Sequence, residues 1–141
     1  MRRAIFVDTS YLVALLDVRD RANAEAGRLT EDLDATGAEL VTTDAVLIEL
    51  GNYFAKSPLR VEAIEWIDAI RVATGWETSQ LERALVLRGE SRYRKHRDKA
   101  WSTTDCISME VMADRGIREV ATLDAHFEQA GFTVLMHLPT P

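Results

Sequence analysis

Ala4-Ile5-Phe6-Val7-Asp8-Thr9-Ser10 runs four apolar residues straight into an acid and two hydroxyls. A short apolar run with a polar break is the signature of a buried strand, and residues 3–7 are read as one. Asp8 then stands at its carboxyl end. Outward from this stretch the chain alternates. Residues 10–17 read as a short helix, 20–36 as an amphipathic helix stopped by Gly37, and Glu39-Leu40-Val41-Thr42 as a second strand. Thr43-Asp44 opens a helix running to Phe54. Ser57-Pro58 breaks it, and another helix covers 59–72. Residues 74–77 suit a short strand. Ser79-Gln80-Leu81-Glu82 has capping-box form and predicts a helix to about 94, and Ser102-Thr103-Thr104-Asp105 has it again and predicts one to about 115, stopped by Gly116. A strand over 118–122, a short helix over 124–130 and a strand over 132–136 complete the pattern. Strands alternating with helices imply an α/β fold, an α/β/α sandwich around a mostly parallel sheet. With 141 residues, no internal repeat and no linker, a single domain over 1–141 is expected.

In such a sheet the site lies at the carboxyl ends of the strands. Asp8 is there, and so is Asp124, directly after Val120-Ala121-Thr122-Leu123. Two further acids lie on predicted helices. At roughly 100° per residue, Glu49 borders the stripe of Val46, Leu50, Tyr53 and Phe54, and Asp105 shares a face with Met109 and Met112. An ionised carboxylate on a core-facing side is costly without a partner, and gathered carboxylates repel one another. A hard divalent cation with oxygen ligands is the usual remedy. Asp8, Glu49, Asp105 and Asp124 therefore form the expected catalytic and metal-binding quartet of a magnesium-dependent phosphoryl-transfer site. Each has a plainer role open to it: Asp8 and Asp124 as helix caps, Asp105 as the acid of a capping box, Glu49 in an ion pair. Ser10 and Thr104 adjoin proposed ligands and can orient a carboxylate or cap a helix.

The net charge of −6 runs against a nucleic-acid binder, but two bound divalent cations would cut it to about −2. The charge is also uneven. Between Arg83 and Lys99 lie seven basic residues, Arg83, Arg88, Arg92, Arg94, Lys95, Arg97 and Lys99, against Glu90 and Asp98. That segment suits either a solvated face or a phosphate backbone. His96, His126 and His137 lack metal-ligand spacing; His126, two residues after Asp124, is within reach of the site, but the chemistry requires no histidine. The single cysteine, Cys106, reads as a small core residue; Trp66, Trp76 and Trp101 read as core or interface residues. One cysteine, no membrane-length apolar run and an acid at position 8 fit a cytoplasmic protein without a signal core.

Four stretches carry a resemblance: Val7-Asp8-Thr9-Ser10, Thr43 through Glu49 to Asn52, Trp101 through Asp105 to Ser108, and Ala121 through Asp124 to Phe127. In this order and spacing, across almost the whole chain, they resemble the PIN-domain proteins, of the kind found in VapC-type toxins. The resemblance implies an Mg²⁺- or Mn²⁺-dependent ribonuclease, frequent homodimers, and the quartet Asp8, Glu49, Asp105 and Asp124. It puts Ser10 and Thr104 at supporting hydroxyl positions. RNA is then the expected substrate, held by Arg88, Arg92, Arg94, Lys95, Arg97 and Lys99. Hydrolysis should leave 5′-phosphate and 3′-hydroxyl ends. A possible antitoxin partner would lay an amphipathic helix in a groove formed by Leu47, Leu50, Tyr53, Phe54, Ile64, Trp66 and Ile67. Three other functions compete: an RNA-processing nuclease without an antitoxin, a catalytically silent interaction module, and a phosphorylated receiver-like signalling domain. The last needs a lysine after a late strand, and none follows Lys99.

Overall fold

The computed structural model describes residues 2–138, so Met1 and 139–141, the ends of the expected 1–141 domain, lie outside it. Five parallel strands form one sheet in the order β3-β2-β1-β4-β5. They are β1 (Ala4–Val7), β2 (Glu39–Thr43), β3 (Trp76–Ser79), β4 (Glu119–Ala121) and β5 (Thr133–Val134). The helices that cover the sheet are α1 (Thr9–Leu16), α2 (Asn23–Thr36), α3 (Asp44–Tyr53), α4 (Arg60–Val72), α5 (Arg83–Lys95), α6 (Thr103–Arg115) and α7 (His126–Gln129). The sheet is α/β as expected, and wholly parallel.

The apolar run of β1 takes the centre because both its faces must be covered. Ile5, Phe6 and Val7 are each fully buried. The chain lays β2 and β3 on one side of β1, then returns to place β4 and β5 on the other. The crevice of a doubly wound sheet opens where that direction reverses, between the carboxyl ends of β1 and β4. Around this frame pack Phe54, Leu47, Leu50, Phe127, Met109 and Met112, all under 2% or at 2% exposure. Cys106 is core, as expected, and burial pushes its thiol pKa up. Trp101 is core too, while Trp66 and Trp76 are half-buried.

Helix ends follow their local chemistry. Gly37 and Gly116 close α2 and α6 with φ of 63° and 65°, a conformation only glycine adopts cheaply. Thr43 caps α3 by accepting from the Val46 amide, and Ser102 and Asp105 form the expected capping box of α6. The box expected at Ser79 does not form. Ser79 is instead the last residue of β3, paired with Thr43, and α5 starts only at Arg83. Ladder pairing with β2 outweighs the local cap.

α5 and α6 form an antiparallel pair in close contact. Gly89 is buried against Ile107, and a Cβ at Gly89 would stand 2.6 Å from Ile107 Cγ1 and 3.2 Å from its amide nitrogen. Arg88 forks onto Asp114 at 2.8 and 2.7 Å, and Arg92 Nε donates to Glu110 at 2.6 Å. This register carries the end of α5 to the start of α6.

The expected apolar groove on α3 and α4 is largely filled. Leu47, Leu50, Phe54 and Ile67 face the core, Trp66 is half-buried, and only Tyr53 and Ile64 of that set are exposed. Ile48 and Val61 join them on the surface. Two packed helices bury one stripe each, and the sequence stripe was broader than the part left over. Among the described residues no helix is long and apolar enough to cross a membrane.

Candidate active site

Asp8 directly follows the central strand. Its amide donates to Ala121 O at 3.1 Å, which prolongs the β1–β4 ladder and fixes its backbone at the crevice. It occupies the N-cap position of α1, yet its side chain makes no cap hydrogen bond. The carboxylate turns instead to Thr122, whose hydroxyl donates to Oδ2 at 2.7 Å. That hydroxyl has one proton and gives it to Asp8. Ser10 Oγ, 2.9 Å from Thr122 Oγ1, must then be the donor between the two hydroxyls. Ser10 in turn accepts from the Leu123 amide at 3.0 Å, and Thr122 accepts from the Asp124 amide at 3.0 Å. The result is a directed chain from the backbone after β4 to the carboxylate after β1. Ser10 thus acts on Asp8 through Thr122, a residue the sequence reading passed over. Its signal is slight: a hydroxyl two residues before Asp124 in the run Val120-Ala121-Thr122-Leu123.

Asp105 is buried on the first turn of α6. Its Oδ2 accepts from the Ser102 amide at 2.9 Å and lies 3.0 Å from His126 Nδ1. The same nitrogen lies 3.1 Å from Asp124 Oδ1, which also accepts from the His126 amide at 2.9 Å. With its proton on Nδ1, His126 donates between both carboxylate oxygens. His126 thereby bridges Asp105 and Asp124 and offsets part of their repulsion. Ligand atoms of Asp105, Asp124 and His126 all lie within 4.8 Å of one another. The sequence places His126 within reach of the site without giving it a role; the short turn from β4 into α7 folds it back onto the site.

Asp8 borders this cluster. Burial pushes its pKa from 3.8 up to about 7; the Thr122 hydroxyl opposes that rise, and the Asp105 and Glu49 charges add to it. Glu49 acts from α3, where its side chain is exposed beside buried Leu50. Thr104 is half-buried, one residue from Asp105, and makes no hydrogen bond among the described residues. Among them, too, no lysine or arginine forms a salt bridge with Asp8, Glu49, Asp105 or Asp124. Two buried carboxylates and two more at the rim, with no lysine or arginine paired to them among the described residues, suit a hard divalent cation.

The basic segment divides. Arg88 and Arg92 are engaged with Asp114 and Glu110 across the α5–α6 pair. Lys99 lies 3.1 Å from Asp98, its neighbour in the chain. Arg83, Arg94, Lys95 and Arg97 form no salt bridge among the described residues.

A sequence model described as the PIN domain matches residues 5–133. No curated protein sequence matches the chain. Among solved structures, the fold resembles VapC20 of Mycobacterium tuberculosis, a sarcin-ricin loop cleaving toxin, at 28% identity and a TM-score of 0.81, covering 92% of this chain and 96% of that one. It also resembles VapBC2 of Rickettsia felis, solved with a promoter DNA fragment (12% identity, TM-score 0.67, 93% and 96% covered). A third is FitAcB of Neisseria gonorrhoeae (16% identity, TM-score 0.63, 92% and 95% covered). The last two likenesses speak for the fold alone.

Proposed function

The chain belongs to the PIN-domain family, and from that premise we propose that it is a divalent-metal-dependent ribonuclease, the toxin of a toxin–antitoxin pair. The observation that carries the reading is the placement of Asp8 and Asp105: both buried, both at the crevice, and without a lysine or arginine partner among the described residues. Mg²⁺ or Mn²⁺ fits this donor set. When bound, it would supply charge compensation and Lewis acidity for hydrolysis of a phosphodiester.

The side chains supply the rest. Asp8 and Asp105 would hold the ion, and Glu49 and Asp124 would complete the set directly or through water. Ser10 and Thr122 fix the Asp8 carboxylate from one side by their directed hydroxyl chain. The Ser102 amide and His126 fix Asp105 through Oδ2, and neither uses Oδ1. Preorganised ligands of this kind need little rearrangement when the ion binds. The unpaired cations of α5 and the turn after it would hold the RNA backbone.

VapC20 directs attention to ribosomal RNA as the first substrate to test, since it is named for cleaving the sarcin-ricin loop. That VapC20 is named a toxin directs attention to an antitoxin partner. Ile48, Tyr53, Val61 and Ile64 are exposed on α3 and α4 and offer an apolar face for such a partner or for a second copy of the chain. We place the protein in the cytoplasm.

The deciding experiment incubates purified protein with a sarcin-ricin oligonucleotide and with ribosomal RNA, in Mg²⁺, in Mn²⁺ and in excess chelator. Cleavage confined to the metal-containing reactions, and missing in folded Asp105→Asn, supports the nuclease. Intact RNA in every reaction overturns it. Cleavage without any response to the product of a neighbouring reading frame leaves an RNA-processing nuclease and removes the toxin.

A further inference from the structure

Tyr93, Arg94, His96, Arg97 and Lys99 line a hollow of about 460 Å³ where α5 ends and the chain turns toward α6. That volume lies within the roughly 300–1,000 Å³ range of sites for organic ligands. A second hollow, lined by Arg88, Ser91, Arg92, Lys95, His96 and Glu110, lies beside it. Charge separates the two. In the second, Arg88 and Arg92 are already matched by Glu110 and Asp114. In the first, Arg94 and Arg97 form no salt bridge among the described residues, and Lys99 has only its exposed neighbour Asp98.

The hollow also carries an aromatic ring in the open. Tyr93 is 51% exposed on a helix whose buried stripe runs through Leu85 and Gly89. A solitary surface tyrosine needs no explanation. One set among three cations, in a hollow, has the composition that binds single-stranded nucleic acid: cations for the backbone and a π-face for a base.

Its position is tied to the carboxylates. The His96 ring packs on Trp101 with centroids 4.7 Å apart. Trp101 immediately precedes Ser102, the cap of the helix that carries Asp105. Its indole nitrogen donates to Gln129 at 3.0 Å, on the helix that begins with His126. The wall of the hollow is therefore linked through Trp101 to the residue that caps α6 and to the end of α7.

We infer that this hollow seats one unpaired nucleotide of the RNA strand, with its base stacked on Tyr93 and the adjoining phosphates held by Arg94 and Arg97. The inference rests on the ribonuclease reading and adds to it the side chains that seat one base and its phosphates. Only an unstacked base can present its face to Tyr93, so single strands and loops are favoured over duplex.

The test is binding without cleavage. A fluorescent single-stranded RNA oligonucleotide and the same sequence as a duplex are titrated with protein in chelator at several salt concentrations. Tyr93→Ala should weaken single-strand binding on the order of 5- to 100-fold and leave duplex binding unchanged. Tyr93→Phe, which keeps the ring, should stay near wild type. The salt slope should hold in Tyr93→Ala and fall by about 0.7 in Arg94→Gln or Arg97→Gln. Wild-type affinity in Tyr93→Ala overturns the proposal. So does an equal loss for single strand and duplex, or a change confined to the protein's sedimentation mass, which would make the face a contact between copies. Cleavage in Mg²⁺ is scored separately: a wild-type protein that binds as described but never cuts would fail as a nuclease while keeping the nucleotide seat.

Discussion

Because the Asp8 carboxyl is buried beside Asp105 and Glu49, it takes up its proton at about pH 7 rather than near 3.8. Unfolding returns it to the ordinary value. Between those two pH values the folded chain keeps a proton that the unfolded chain has lost. Metal-free stability from this group is therefore greatest at acid pH and falls as pH rises toward 7. Asp8→Asn removes the charge and keeps the shape. In chelator it should raise the melting temperature relative to wild type, with a gain on the order of a few kcal/mol at pH 8 and little gain at pH 4.5. The same variant should lose most metal-dependent RNA cleavage. A melting difference independent of pH would mean that Asp8 is not the strained group. Thr122→Val deletes the hydroxyl that opposes the rise of the Asp8 pKa and changes little else in volume. It should lower cleavage, and the acid limb of its pH–rate profile should move to higher pH, with Thr122→Ser restoring both. Unmoved limbs would assign Thr122 to packing alone. At this scale the sequence spoke through placement: an acid after an apolar strand is visible, whereas Thr122 and His126 owe their roles to how the β4–α7 turn folds back.

Between α5 and α6, Gly89 has no room for a side chain. Gly89→Ala would gain up to about 1 kcal/mol of helix propensity. Against that, the new methyl meets the Ile107 side chain at 2.6 Å and its backbone at 3.2 Å, and overpacking of this kind costs about 1–3 kcal/mol. Overpacking wins because backbone cannot step aside alone. The variant should lose about 1–2 kcal/mol in urea unfolding, and Ile107→Ala should cost less in its background than in wild type. Additive losses would show that the helices separate freely. The same register explains the divided charge of the basic segment. A run of arginines is legible in sequence, but Glu110 and Asp114 reach Arg92 and Arg88 only because Gly89 sets which turns face each other. Arg92→Gln should accordingly leave the RNA salt slope near wild type, while Lys95→Gln lowers it by about 0.7. A drop for Arg92→Gln would reverse that ranking. The capping box misread at Ser79 has a related cause: a local motif competes with β2 for the same backbone, and the ladder wins.

For the whole molecule, a ligand that binds only the folded chain raises its stability by mass action. Mg²⁺ or Mn²⁺ at about a hundred times its dissociation constant should add roughly 2.7 kcal/mol, read as a rise in melting temperature reversed by chelator. Asp105→Asn should largely lose the response; an equal rise in that variant would place the metal elsewhere. Strand order was beyond reach of periodicity, since nothing in a run of valine and alanine states which neighbour it takes, yet alternation of strand and helix sufficed to put Asp8 and Asp124 at one edge. The hydrogen bond from Thr122 to Asp8 spans 114 positions of the chain. That separation sets a clock on synthesis. A ribosome adding about 5–20 residues per second releases Asp8 well before Thr122, 114 positions later. Until β4 slides in beside β1, a nascent chain carries its carboxylates apart. A message broken before the codon for Thr122 yields a fragment that lacks both Thr122 and Asp124 and cannot assemble the acidic cluster.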